Sequence, residues 1–529
     1  MLKRAHAAHG AIGDDGTRWR LYSLGGVILA VALYSAIHIA ARLIASGNLG
    51  EDDPLDAIMT QTLSLGYLPE QPPLYDWALW LLEQVTGLGV LHFQLLKYSL
   101  LTATCAFIFL AARRVMKGDA LWAFLSVEAL ALIYQISWRF HEGFTHAVGA
   151  MCAVAAVFWL LLRLIERQRP LDFALLGVGI GLGVLTVTTF WVYLGALFGA
   201  AWMQPSIRSA LFRPQLALSL AIAALVAGPH FIWLVGTPEG LSAILPALKS
   251  VSVQDHLVLA LSGIRRAFTE PVMYLAPLIF LYPLFFPVMI GQIRRHARLR
   301  ANLGPEPNLE QLILHLTLLS VGALIAAAAV FGIHRYPVHA LMPLFLITSI
   351  WLTAQARNSI PSEGRIRRFV IMALSVAVFA FFARAANMYV LQPVCSICRW
   401  GIPYEGLAEE MRKRGFTEGR IAVTDRELGG NLRRFFPKAP IALAGSRAYA
   451  PPGWQDAGGA GAKIALIWLP KESDRTAAAY FRPLLPGFTE SDAAKGELLT
   501  VPWGPRYWLP YENHHSQWKL LILDSAGGR

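Results

Sequence analysis

Five carboxylates, Glu51, Asp52, Asp53, Asp56 and Glu70, lie directly after the first long apolar run of the chain. Carboxylates crowded where a chain leaves a bilayer are costly when buried, so they stand there for chemistry or for solvent. A carboxylate fixed at that boundary can take a proton from a hydroxyl that is about to attack. Cations occur elsewhere in apolar surroundings: Lys97 within an apolar run, Arg265 and Arg266 further on, and Arg335 in His334-Arg335-Tyr336-Pro337. Guanidinium forks match phosphate oxygens, so the arginines are either phosphate ligands or interfacial anchors. Lys97 either snorkels to the interface or meets an anion. A second polar cluster, Arg139, His141, Glu142 and His146, sits in the turn Trp138–Val148; it either completes a site or faces headgroups as a solvated turn.

These groups need elements to hold them. Leu55, Ile58, Met59, Thr62 and Leu63 recur at helical spacing between Asp52 and Gly66, which predicts an amphipathic helix along the membrane surface. Pro54 in its first turn and Asp52 or Asp53 as cap define its start. Pro72 and Pro73 then turn the chain back toward the membrane.

The chain has 529 residues, 55% hydrophobic and 15% charged, with a mean hydropathy of +0.47. Its apolar residues come in long runs, which predicts a polytopic α-helical membrane protein. A window of roughly 19 residues finds about eleven spans, near 21–45, 87–112, 119–137, 144–165, 171–187, 189–204, 214–235, 271–291, 311–332, 337–355 and 368–391. The first is too long, and lacks the small-residue site, to be a cleaved signal. Arginines and lysines fall in alternate loops, which sets a cytoplasmic N-terminus and puts the Asp52 loop and everything after about residue 391 on the other side. The net charge of +12 is mostly that sorting signal and does not point to nucleic acid. The expected division is a tail over 1–20, a membrane domain over 21–391 with an external loop at 46–86, and a domain over 392–529.

From residue 392 charges rise and apolar runs shorten. Tyr404–Gly415 patterns as a helix, and Arg420–Thr424, Ile441–Ala444 and Lys463–Leu469 as buried strands, so a soluble α/β domain closes the chain. Cys105 and Cys152 sit in apolar runs as packing residues. Cys395 and Cys398 lack a second pair for zinc and are either a local disulfide or two free thiols. Glycines 177, 179, 181 and 183 suit close helix packing, since no strand precedes them as a dinucleotide loop requires.

Asp52-Asp53, a helix, Gly66-Tyr67, Pro72-Pro73-Leu74 and Trp77 resemble the first external loop of the GT-C membrane glycosyltransferases, in the aminoarabinose-transferase (ArnT) and protein O-mannosyltransferase branch. The spacing to Gly66-Tyr67 lays Asp52 on the family's catalytic Asp and Asp53 on its Glu, with Gln71 where His is common. The resemblance implies a donor-phosphate role for Lys97 and Arg335, with Arg265 or Arg266 as further candidates. It implies Glu142 as a second acid, and Tyr67, Gln71, His141, His146 and Tyr336 as substrate contacts. At Val187 the family commonly has Lys. The piece Val423–Pro437 is similar to the tail domain of ArnT-like proteins.

The implied function is transfer of a sugar from a polyprenyl-phosphate donor to a lipid, glycan or protein acceptor on the periplasmic side of a bacterial inner membrane, with Asp52 as base and inversion at the anomeric carbon. No cofactor is required by the pattern; Mg or Mn could bind Asp52, Asp53 and Glu142 with His141 or His146. A transporter or lipid flippase needs mid-membrane ionisable residues in broken helices and related halves, and neither is seen. A non-catalytic scaffold displaying the tail leaves the Asp52–Pro73 stretch unexplained.

Overall fold

The computed structural model describes residues 22–237, 240, 253–299, 306–390, 399–445, 448–455, 462–503 and 514–524. Cys395 and Cys398 lie outside them. Within them, seven helices are long and apolar enough to cross a bilayer alone, two bent pairs add two candidates, and two shorter apolar helices complete the set. These segments follow the runs expected from the sequence. Leu29, Leu33, Ile232, Phe280 and Phe379 on their outer faces are exposed, as lipid-facing residues should be.

The chain enters through α1 (Leu24–Ala45), then makes two helices in the first loop, α2 (Asp53–Met59) and α3 (Leu74–Thr86), before α4 (Val90–Val115). Next, α5 (Ala120–Glu128) continues through a 3-10 turn and a π-helical turn to Glu142, with a 73° bend. Glu142 is followed by Gly143 and then by α6 (His146–Arg167), the most enclosed of the spans. The short apolar helices α7 (Pro170–Val184) and α8 (Phe190–Trp202) lead through α9 (Pro205–Leu211) to α10 (Leu216–Gly236). Added Cβ atoms at Gly177 and Gly181 would meet the backbone of Ser219 and the Val226 side chain, so this glycine row does serve close packing of α7 on α10.

The second half holds α11 (Val253–Phe285), α12 (Val288–Leu299), α13 (Leu309–Phe331), α14 (Val338–Phe345), α15 (Thr348–Asn358) and α16 (Glu363–Tyr389). Here one expectation is corrected. The span expected near 271–291 begins earlier, because α11 is already helical from Val253. Its charges can share one helix with exposed Leu257, Val258, Leu261 and Phe268, and Arg266 lies 4.0 Å from Glu270 one turn on. A hydropathy window averages such charges into the apolar run and so starts the span late.

The tail contains α17 (Tyr404–Lys413), β1 (Gly419–Val423), α18 (Arg426–Leu432), β2 (Ile441–Leu443), β3 (Lys463–Trp468), α19 (Asp474–Phe481), α20 (Glu490–Ala493), β4 (Glu497–Pro502) and β5 (His515–Asp524). The sheet order is β2-β1-β3-β5-β4. Its parallel half pairs Ile421 with Ile441 and Ala465, and its antiparallel half pairs Leu466 with Leu521 and Leu499 with Trp518. The first three strands read as apolar runs because both faces are covered. By contrast, β4 alternates exposed and buried positions, a weaker signal that the sequence reading passed over.

The first loop is corrected as well. Instead of a long amphipathic helix on the membrane surface, α2 has seven residues, ends at Thr60 and is buried throughout. The tail domain covers it: Leu55, Ile58, Met59 and Tyr67 share one apolar core with Leu428, Leu432 and Ile441. Asp52 occupies the cap position but makes no side-chain cap bond. Gly430 of α18 lies so close to α2 that an added Cβ would fall 2.3–2.7 Å from the Pro54 backbone. Gly430→Ala should therefore push α2 and α18 apart, costing about 1–3 kcal/mol as overpacking does. The expected result is a lowered thermal midpoint and faster proteolysis of the tail in detergent; unchanged values would mean that the two helices are not held against each other.

Candidate active site

Asp52 and Asp53 are neighbours in sequence and opposites in environment. Asp53 points inward, its side chain 2% exposed, with Lys97 Nζ at 3.6 Å and 0% exposed. Lys97 thus meets an anion and does not snorkel. Burial holds the Asp53 carboxyl above its usual range, against the pull of Lys97 and Arg42. The Asp52 side chain remains 44% open and faces Arg426 Nη1 at 3.7 Å. Burial by surrounding atoms, reinforced by Asp56, raises the Asp52 carboxyl to about 6, with Arg426 opposing. Water entering through the opening screens part of that effect.

The segment before Asp52 is tied down tightly. Arg42 at the end of α1 donates to the carbonyls of Ser46, at 2.6 Å, and Asn48, and its guanidinium lies 3.9 Å from the Trp400 ring centre. The Leu49 N–H donates to Asn431 Oδ1 at 2.7 Å, and Asn431 Nδ2 donates back to Leu49 O at 3.1 Å. Glu51 then takes a positive φ of 59°. Gly143 packs against it so closely that a Cβ there would sit 2.1 Å from Glu51 Cβ and 3.4 Å from the Asp52 nitrogen. The Glu142 turn therefore abuts the Asp52 turn. Glu142 itself accepts from Trp138 Nε1 at 2.9 Å and Arg139 Nη1 at 2.6 Å.

One turn along α2 lies a second constellation. His146 Nε2 stands 3.6 Å from Asp56 Oδ1 and 3.5 Å from Asp76 Oδ2, with all three residues buried. Gln71 Nε2 approaches Asp56 Oδ1 at 3.4 Å, and the Tyr75 ring centre lies 5.4 Å from that of His146. Burial raises the Asp76 carboxyl above its usual range, with His146 opposing. This differs from the expected metal set: among the described residues the ligand-type groups that converge are Asp56, Asp76 and His146, not Asp52, Asp53 and Glu142. Glu142 is taken by its own turn. His141 is taken by Tyr34, 2.7 Å from Nε2, and by Tyr98, 2.6 Å from Nδ1, with Arg384 donating to its carbonyl.

Other expected contacts are placed as follows. The Tyr67 hydroxyl donates to Thr62 O at 2.9 Å, and the Tyr336 hydroxyl to Leu324 O at 2.7 Å. Gly66 lies under the Trp233 ring, 2.2 Å from an added Cβ, which accounts for glycine before Tyr67. Arg335 is exposed, on a segment whose Ile333 carbonyl abuts Gly263 of α11, the helix of Arg265 and Arg266. Among the described residues no ion pair joins these three arginines to Asp52 or Asp53.

The sequence reading missed several residues. Asp76 is an acid in an apolar helix and Arg384 a cation in a span, and both could have been flagged by that alone. Arg433 gave no signal, because its partner is remote. Its Nη2 donates to Glu83 Oε1 at 2.6 Å, and its Nη1 to Glu83 Oε2 at 3.0 Å, Thr60 Oγ1 at 3.0 Å and Ala57 O at 2.7 Å. The tail thereby grips both ends of the α2–α3 unit.

Comparison with known proteins bears on the fold and on the kind of protein the chain resembles. The family model described as dolichyl-phosphate-mannose-protein mannosyltransferase matches residues 70–233. The lipopolysaccharide core galacturonosyltransferase RgtB of Rhizobium johnstonii is 23% identical over 480 residues, 90% of this chain and 94% of that protein. RgtA of the same organism is 24% identical over 462 residues, 85% and 88% of the two chains. Among solved structures, ArnT from Cupriavidus metallidurans bound to undecaprenyl phosphate superposes with a TM-score of 0.57 at 15% identity, covering 96% of this chain and all of that one. Its apo state gives 0.55 at 13% identity, covering 98% and all. The fold is therefore the ArnT-like GT-C fold, a multi-pass helical membrane domain followed by a small sheet domain. Within that fold, the match over residues 70–233 and the two galacturonosyltransferases make the chain similar to sugar transferases of the ArnT and protein O-mannosyltransferase type.

The side chains of Arg433 and Glu83 are 7% and 9% exposed, so removing one leaves an uncompensated buried charge. Arg433→Ala should cost about 3–5 kcal/mol, and Glu83→Gln in the same chain should recover part of it. A thermal double-mutant cycle in detergent checks this; strictly additive effects would show that the pair is not coupled.

Proposed function

We propose that this chain transfers one sugar from a polyprenyl-phosphate donor to an acceptor hydroxyl at the membrane surface, with Asp52 as general base. The observation that carries the reading is the split between two adjacent carboxylates. Asp53 is sealed against Lys97, whereas Asp52 is open enough for an acceptor to reach it. A base must lie within hydrogen-bond reach of the proton it removes, and of the two only Asp52 offers that access.

The acceptor hydroxyl gives its proton to Asp52 as its oxygen bonds to the anomeric carbon. The bond from that carbon to the phosphate oxygen breaks, its electron pair stays with the phosphate, and the configuration inverts. Lys97, the buried cation set against Asp53, holds the departing phosphate, which competes with Asp53 for it. Arg335, Arg265 and Arg266 remain candidates for the same charge from the α11 side. The outward apolar faces of the spans supply the groove for the lipid.

Both curated relatives are named as transferases to the lipopolysaccharide core, so a core glycan of the cell envelope is the acceptor of choice here, with the site on the periplasmic side of a bacterial inner membrane. The tail domain, beginning near residue 392, covers the site and takes part in holding that acceptor. The 1–20 segment is cytoplasmic in this arrangement.

Asp52→Asn should abolish transfer in membranes supplied with polyprenyl-phosphate donor and core glycan, while copurified lipid phosphate stays at the wild-type level. A fully active variant refutes the assignment. Because the base works as a carboxylate and its pKa is raised to about 6, kcat/KM should fall about tenfold per pH unit below that value and level off above it. A profile flat through this range would remove Asp52 from the proton transfer.

A further inference from the structure

Asp56, Asp76 and His146 come from three separate elements, α2, α3 and the first residue of α6, and converge so that one ligand atom from each lies within 4.8 Å of the others. All three are buried. Yet Asp56 Oδ2, both oxygens of Asp76 and both ring nitrogens of His146 make no hydrogen bond of normal length, the contacts of Nε2 with the two carboxylates being 3.5–3.6 Å, and the buried Tyr75 hydroxyl beside them makes none either. Buried polar groups are nearly always satisfied, and a cluster of orphaned ones calls for a ligand.

The spacing says which kind. At 3.5 and 3.6 Å the two carboxylates are too far from His146 Nε2 for a normal hydrogen bond. Zinc bonded at ~2.0–2.1 Å to nitrogen and oxygen in tetrahedral geometry separates its ligands by about 3.3 Å, close to the two distances from His146, with the two carboxylates within 4.8 Å of each other. Two carboxylates and a neutral imidazole carry two negative charges, which a divalent ion cancels. One nitrogen and two oxygens favour a borderline ion such as zinc or manganese over magnesium, which prefers oxygen ligands and water.

We propose that Asp56, Asp76 and His146 form a divalent transition-metal site, best matched to zinc, with the fourth position left to water or to the Gln71 side-chain amide after its flip. The ion ties α2, which carries the Asp52–Asp53 pair, to α3 and α6. It acts as a clamp on the acid-bearing helix, and its ligands are positioning residues. The binding does not depend on the sugar-transfer reading.

The test uses the full chain purified in detergent, stripped with chelator, incubated with zinc, manganese or magnesium and exchanged into metal-free buffer. Elemental mass spectrometry should find about one zinc per chain in the wild type and less manganese, with magnesium absent. His146→Gln and Asp76→Asn should each lower retained zinc by roughly tenfold or more, while still eluting as single species. Zinc should also raise the wild-type thermal midpoint, reversibly with chelator, and leave the midpoints of both variants unmoved. If the wild type retains no zinc or manganese, or if the variants hold as much as it does, the site is an imidazolium shared between two carboxylates and the proposal fails. Should the variants not fold, the wild-type midpoint decides alone: no shift with zinc overturns the proposal.

Discussion

A short acidic helix is buried where a membrane bundle meets a water-facing domain, and the charges of that helix dictate much of the surrounding structure. Carboxylates in such a place are tolerated only if each finds a compensating group. Asp53 has Lys97 from α4, Asp52 has Arg426 from α18, Glu83 has Arg433 from just beyond α18, and Asp56 and Asp76 converge on His146 from α6 in the cluster proposed above to hold a divalent ion. The partners come from α4 and α6 of the bundle and from the two ends of α18 in the tail. The charge balance of the first loop is consequently completed only when bundle and tail are both in place.

This arrangement explains why the tail is more than an appendage. Its α18 supplies Gly430 for close approach to Pro54, Asn431 for two backbone bonds to Leu49, and Arg426 for Asp52. Apolar residues of α2 enter its core on the sheet side. A domain that merely hung from the last span would need a closed core of its own. Here part of the core belongs to the first loop, and the position of Asp52 is set from both sides.

Much of the fold was readable because bilayer physics imposes a coarse code. Long apolar runs gave the spans, and the apolar strands around Ile421, Ala442 and Ala465 gave the parallel half of the sheet. What was not readable depends on meetings at long range. The Leu55 and Ile58 periodicity announced one buried face but not that the tail would cover the other. Lys97 was ambiguous until Asp53 was seen against it, and His146 was grouped with its sequence neighbours although its partners are Asp56 and Asp76. Arg335 shows the converse: a motif can stand out in sequence and lie, in the fold, against a different helix from the acids it was matched with.

The two neighbouring aspartates carry the final step of the argument. On a helix, consecutive side chains point about 100° apart, so residues joined by one peptide bond can face different solvents. At the first turn of α2 this places Asp53 toward the low-dielectric bundle, where a single cation is worth far more than in water, and Asp52 toward the tail and its opening. One carboxylate is thereby set against Lys97 in the buried interior, and the other is left reachable. Swapping the two orientations would need α2 to turn, which Gly430 against Pro54 on one side and Gly143 against Glu51 on the other do not allow. The division of labour between the aspartates is therefore a consequence of packing by two glycines, neither of which carries any chemistry itself.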